Sequence, residues 1–182
     1  MKYRFPSPGP AAPRGYSTTQ VALHWVIAAL VAFQLLFGES MGAVMEAEER
    51  GRSVSALDSQ LAAFHYWIGI GVLVLVAIRF GLRTLVGVPE ATDASPRWAV
   101  AASNLAHNLF YVLLVSVPVT GLLGYYLKDP WSEIHAISKP AFLGLIAVHV
   151  AGALYHQFWL KDRTLTRMLV PTRGVGRESS RL

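Results

Sequence analysis

Apolar residues gather in four long runs, roughly Val21–Phe37, Leu61–Leu85, Leu105–Leu127 and Pro140–Trp159, with polar links between them. Each run approaches or reaches the roughly 20 residues that a helix needs to cross a bilayer. Backbone groups in lipid must be satisfied within the segment, so such runs are helical. Four helices with short links share one interior, which predicts an all-α integral membrane four-helix bundle and no second domain. The flanks set the limits: a Pro-rich basic arm over 1–16 expected to be unstructured, the bundle over 17–169, and a basic tail over 170–182. The first run is too long for a signal-peptide core and reads as a retained span.

Local signals refine this picture. Ser17, Thr18 and Thr19 are N-cap candidates for the first helix. Pro118 should kink the third helix. Pro140 is expected near the start of the fourth, where a lost backbone hydrogen bond costs least. The stretch from Glu39 to Gln60 carries Glu39, Glu46, Glu48, Glu49 and Asp58 and reads as an acidic, solvated linker.

Composition and charge then add orientation. Hydrophobic residues make up 53% and charged residues only 15%, an excess that a soluble domain does not show. The net charge of +5 is unevenly spread. Lys and Arg concentrate before the first run, between the second and third, and after the fourth; the other two links hold Arg50, Arg52, Lys128 and Lys139. The positive-inside rule places both termini in the cytoplasm. The basic excess is therefore contact with anionic membrane lipids, not a nucleic-acid footprint. Cysteine is absent, which excludes disulfides, iron–sulfur clusters, thiolate zinc and covalent haem attachment. Any metal must use His or carboxylate.

The chemistry lies in histidines on apolar runs, where an unpaired imidazole is costly and so turns inward. His135 and His149 are 14 residues apart, which returns to within about 40° of one helical face. With alternating helix directions, His24 falls near the inner side and His65 near the outer side. Two pairs follow: His65 with His135 outside, and His24 with His149 inside. Two stacked bis-imidazole sites suit two haem b groups, each iron held from both sides and therefore an electron carrier. A haem-free His-lined transporter is the rival, and it calls for carboxylates at membrane depth, which these runs lack in their middles. Zinc needs three or four converging ligands. His24, His107, His149 and His156 could supply them inside, whereas the outer pair has only Glu133 to add.

Several residues keep two readings. His107 and His156 fit propionate hydrogen bonding, a proton-coupled quinone site, or the membrane interface. Arg79, 14 residues after His65, either pairs an anionic cofactor group at the inner end or snorkels to the surface. Gly69, Gly71, Gly121 and Gly124 serve helix packing or cofactor clearance. Phe142, seven residues from both His135 and His149, is core or lies between two cofactors.

An ordered set of segments resembles the bacterial cytochrome b561 family, over about Tyr16 to Met168. They are Ser17 to Trp25, His65, Val76 to Arg83, His107 to Tyr111, Val117 to Gly121, His135, His149, and Tyr155 to Met168. The resemblance implies a small di-haem cytochrome of the bacterial inner membrane. Its axial ligands would fall on His24 with His149 and on His65 with His135. It also implies exchange of electrons with the quinone pool, with superoxide or a redox protein as periplasmic-side donor. A haem-carrying membrane anchor that collects electrons from a partner dehydrogenase is the alternative.

Overall fold

The computed structural model describes residues 15–89, 95–162 and 164–171. Apart from Gly15 and Tyr16 the expected N-terminal arm lies outside these residues, and so does the expected tail apart from Val170 and Pro171. Helix α1 spans Thr18–Phe37, α2 Glu39–Glu49, α3 Ala56–Leu85, α4 Arg97–Leu127, α5 Trp131–Tyr155 and α6 Thr164–Leu169. A π-helical turn, His156–Leu160, continues α5. No strand occurs among the described residues. Among the described residues four helical segments are long and apolar enough to cross a membrane: α1, α3, α4, and α5 with its π turn.

The ends of these helices follow from local chemistry. Ser17 caps α1: its hydroxyl accepts from Gln20 N, and Gln20 Oε1 accepts from Ser17 N. This reciprocal arrangement satisfies two donors that the first turn would otherwise leave open. Ser55 caps α3 by accepting from Asp58 N at 3.0 Å. Lys161, in the left-handed region at φ 53°, ends the π turn.

Two expectations are corrected. The acidic linker contains a helix, α2, because Glu39 stands in the first turn where the helix dipole favours it, and Ala47 buries itself beneath. The fourth span begins at Trp131, so Pro140 lies inside the helix rather than near its start. Position alone does not forbid this, because membrane helices tolerate proline where neighbouring groups meet the freed carbonyl.

Packing runs in a chain: α1 on α3, α3 on α4, α4 on α5, with α2 laid on α3. Ile27, Val72 and Val76 form the buried cluster between the first three spans, flanked by Leu30, Val31, Ile68, Leu75, Tyr111 and Leu114. Leu36, Trp67, Leu85, Ile137, Phe158 and Trp159 stand on the outside. An apolar exterior around a small core is what a lipid solvent allows. The ends of the bundle are called here the terminal end, near Tyr16, and the α2 end.

Candidate haem sites

The sequence-derived pairs meet in space. The rings of His65 (α3) and His135 (α5) lie 5.9 Å apart between centroids, at an interplanar angle of 89°. Those of His24 (α1) and His149 (α5) lie 6.3 Å apart, at 58°. A metal bonded to one nitrogen of each ring at about 2 Å, with each nitrogen roughly 1 Å from its ring centre, needs centroids about 6 Å apart. Both pairs meet that requirement. Each also joins two helices outside the closely packed chain of neighbours, which leaves room for a flat group between them.

The α2 end shows how its imidazoles are held. His135 Nδ1 is 2.9 Å from the carbonyl oxygen of Val117, to which it donates. That hydrogen bond fixes the tautomer and leaves Nε2 as the unprotonated nitrogen, the one that could ligate a metal. Gly121 makes room for this ring: a Cβ there would lie 2.9 Å from His135 Cε1 and Nδ1. Gly38 does the same for His65, whose Cε1 and Nδ1 would be 3.1 and 3.2 Å from an added Cβ. Gly124, by contrast, serves close packing: a Cβ there would lie 2.8 Å from the Ser132 backbone. A cavity of about 700 Å³ lies between the helices here, lined by His65, His135, Gly69, Gly121 and Phe142, with Met41, Met45 and Glu46 of α2 at its edge. That volume is in the range of cofactor sites.

At the terminal end a third imidazole joins the pair. His107 lies 5.5 Å from His149 between ring centroids, and its Nδ1 donates to the Ser103 carbonyl at 2.6 Å. Phe110 packs on both His149 and Phe142, at 5.2 and 6.3 Å. Phe142, buried and also lining the cavity beside His135, thus belongs to a continuous aromatic contact between the two sites. Arg79 does not stand free. Its Nη1 donates to the Gln20 carbonyl at 2.8 Å, and it borders a small pocket with Tyr16, Arg83 and Tyr111. The buried Gln20 in turn donates to Gly87 O at 3.1 Å.

His156 stands apart from these rings. Its Nδ1 is 2.5 Å from Asp162 Oδ2, which also accepts from Ser95 Oγ at 2.7 Å, while Asp162 Oδ1 accepts from Thr164 N at 3.0 Å. Asp162 is buried just beyond the last span. Among the described residues no three His, Cys, Asp or Glu converge to hold a metal ion, so the inner zinc set of His24, His107, His149 and His156 does not assemble.

Burial alone would raise the Asp162 carboxyl, but hydrogen bonds from His156, Ser95 and Thr164 outweigh it and hold the group well below the usual carboxylate range. A carboxyl lowered on folding stabilises the fold above its ordinary value near 4, and that stabilisation is lost as pH falls from there toward the lowered value. Thermal unfolding in detergent should therefore show a loss of Tm below about pH 4 that Asp162→Asn lacks. A Tm difference that stays constant from about pH 3 to pH 6 would contradict this.

Three residues at these sites carry little signal in the chain: Gln34, whose Nε2 donates to the His65 carbonyl, Gly38 and Asp162. Gln34 is, besides His24, the only polar side chain in the first apolar run, and that was the available signal. Gly38 and Asp162 gave none, since a glycine after a helix and an acid after a span have ordinary explanations.

Four membrane helices, two facing imidazole pairs and a cofactor-sized cavity define a b-type cytochrome of the membrane. The chain belongs to the prokaryotic cytochrome b561 family, whose model matches residues 15–171. It is 37% identical over 158 residues to a cytochrome b562 of Cereibacter sphaeroides, covering 86% of this chain and 96% of that protein. It is 30% identical to the cytochrome b561 homolog 1 of Escherichia coli K12, over 85% and 96% of the two chains. A "Probable superoxide oxidase CybB" of Yersinia pestis is 24% identical, over 87% and 98%. Membership establishes a bacterial inner-membrane protein with an electron-transfer role and haem b as its cofactor type.

Proposed function

We propose that the chain carries two bis-His haem b groups and relays electrons from a periplasmic-side donor to the quinone pool. The observation that carries this is the ring spacing: two separate imidazole pairs, at 5.9 and 6.3 Å, both with one member on α5. Haem iron, when bound, supplies reversible one-electron transfer between its ferrous and ferric states. His65 with His135, and His24 with His149, would hold the two irons, and an iron held by two imidazoles would pass electrons rather than bind oxygen. Arg79, beside Arg83 at the terminal end, is the charge partner for carboxylates of the cofactor there. The distribution of Lys and Arg supports a cytoplasmic terminal end and a periplasmic α2 end.

Quinone reduction consumes protons as well as electrons. The His156–Asp162 pair, beside the exposed rings of Trp98, Tyr155 and Trp159, places a hydrogen-bonded imidazole and carboxylate next to an apolar surface at the terminal end. The relative's name makes superoxide the first donor to test. At the α2 end, however, Lys139 pairs with Glu39 at 2.7 Å and Lys128 with Glu49 at 3.8 Å, while Arg50 and Arg52 both pair with Glu46. This pairing cancels much of the field that would draw in an anion, and it favours the second reading, in which a redox protein such as a partner dehydrogenase is the donor.

Two measurements test the proposal. Pyridine-haemochrome quantitation of the purified chain should give two haems per polypeptide, and a quinone analogue should reoxidise both after chemical reduction. One haem per chain, or no reoxidation by quinone, would refute it. Co-purification of a soluble subunit separates the donor readings, because the isolated chain should then be slow with superoxide.

A further inference from the structure

Gln34 is a polar side chain lining the α2-end cavity. Its Nε2 donates to the backbone carbonyl of His65 at 2.8 Å. Its Oε1 is buried without a partner, and so is Nδ1 of His65; among the described residues these two are the buried side-chain polar atoms left in that state. One is an acceptor, and the other carries the hydrogen in one neutral imidazole tautomer. Both residues line the same cavity.

His135 shows what His65 lacks. The Nδ1–H of His135 donates to Val117 O, which fixes its tautomer. On the corresponding edge of His65 lies Gly38, whose own N–H is taken by the Gln34 carbonyl at 2.9 Å. A metal-ligating imidazole without an acceptor for its second nitrogen is free to turn and is a weaker donor to the metal.

We propose that Gln34 is the positioning residue for His65. Its Nε2 holds the His65 backbone, which leaves the unpartnered Oε1 as the acceptor for the unpartnered Nδ1–H when that imidazole ligates a metal through an unprotonated Nε2. The inference rests on His65 being an iron ligand. It predicts that the Gln34 acceptor strengthens retention of the haem at the α2 end and lowers its potential, because hydrogen bonding of Nδ1–H makes the imidazole more basic.

The test uses the haem-loaded protein in detergent with Gln34→Leu, Gln34→Glu and His65→Ala. It reads the rate of haem transfer to excess apomyoglobin and the midpoint potential of each haem. Gln34→Leu removes both the donor to the His65 carbonyl and the proposed acceptor, and should release the α2-end haem about 10- to 100-fold faster, with a raised potential. Gln34→Glu keeps an acceptor but loses the donor. It should retain haem within a few-fold of the parent and lower the potential further. Equal loss in both variants would show that only the tie to the His65 backbone matters, and would overturn the inference. So would unchanged release and potential in Gln34→Leu. If His65→Ala keeps both haems, the ligand assignment itself is wrong, and that failure is visible without reference to Gln34.

Discussion

His135→Ala should cost the protein one of two haems, and His149→Ala the other. The two rings lie on one helix but face different partners, His65 at the α2 end and His24 at the terminal end. Removing His135 leaves His65 alone at its site, removing His149 leaves His24 with His107 nearby, and in each case the other pair stays intact. Haem content per chain should fall from two to one in each variant, with different α-band and redox components surviving. Any residual haem at the damaged site would have an open axial position and should bind carbon monoxide, which the parent should not. Circular dichroism serves as the folding control, since neither ring belongs to the buried cluster around Val76. Equal loss of both haems from each variant, or full retention, would refute the pairing.

Gly121→Ala should remove the α2-end haem without touching a ligand. The new Cβ would come within 2.9 Å of Cε1 and Nδ1 of His135, closer than carbon–carbon contact permits. The ring cannot simply step aside, because its Nδ1 is held by the Val117 carbonyl. Nor can α4 and α5 move apart freely, because Gly124 seats them against each other at Ser132. The expected result is loss or a marked spectral change of one haem, with destabilisation of about 1–3 kcal/mol. Gly144→Ala on α5 is the control: nothing lies within 4 Å of its added Cβ, and alanine is the better helix former. It should keep both haems and melt no lower than the parent. If Gly121→Ala behaves like Gly144→Ala, the close approach of Gly121 to His135 has no functional weight.

The two glycines separate what a sequence can convey from what it cannot. Gly121 and Gly144 both lie on apolar helices and look alike in the chain. Only the approach of α5 to α4 makes one of them a clearance for an imidazole. The same holds for Gln34, a lone amide in an apolar run whose partner lies 31 residues away on another helix. It holds as well for Asp162, whose partners Ser95 and His156 come from two different segments. The histidine pairs were legible for the opposite reason. A span has a fixed length and alternate spans reverse direction, so a residue number converts directly into depth. Helical periodicity converts the 14-residue spacing into a shared face.

The sequence alone determined four apolar helices of membrane-spanning length and the expectation of which histidines face each other, because bilayer thickness and backbone hydrogen bonding constrain runs this apolar. The tertiary structure decided the rest: that the acidic link is helical and borders the cavity, that Arg79 turns to the first turn of α1, and that His156 belongs to Asp162 rather than to a metal set. These depend on distances between segments far apart in the chain, and side-chain contacts of that kind leave no periodic signal in the order of residues.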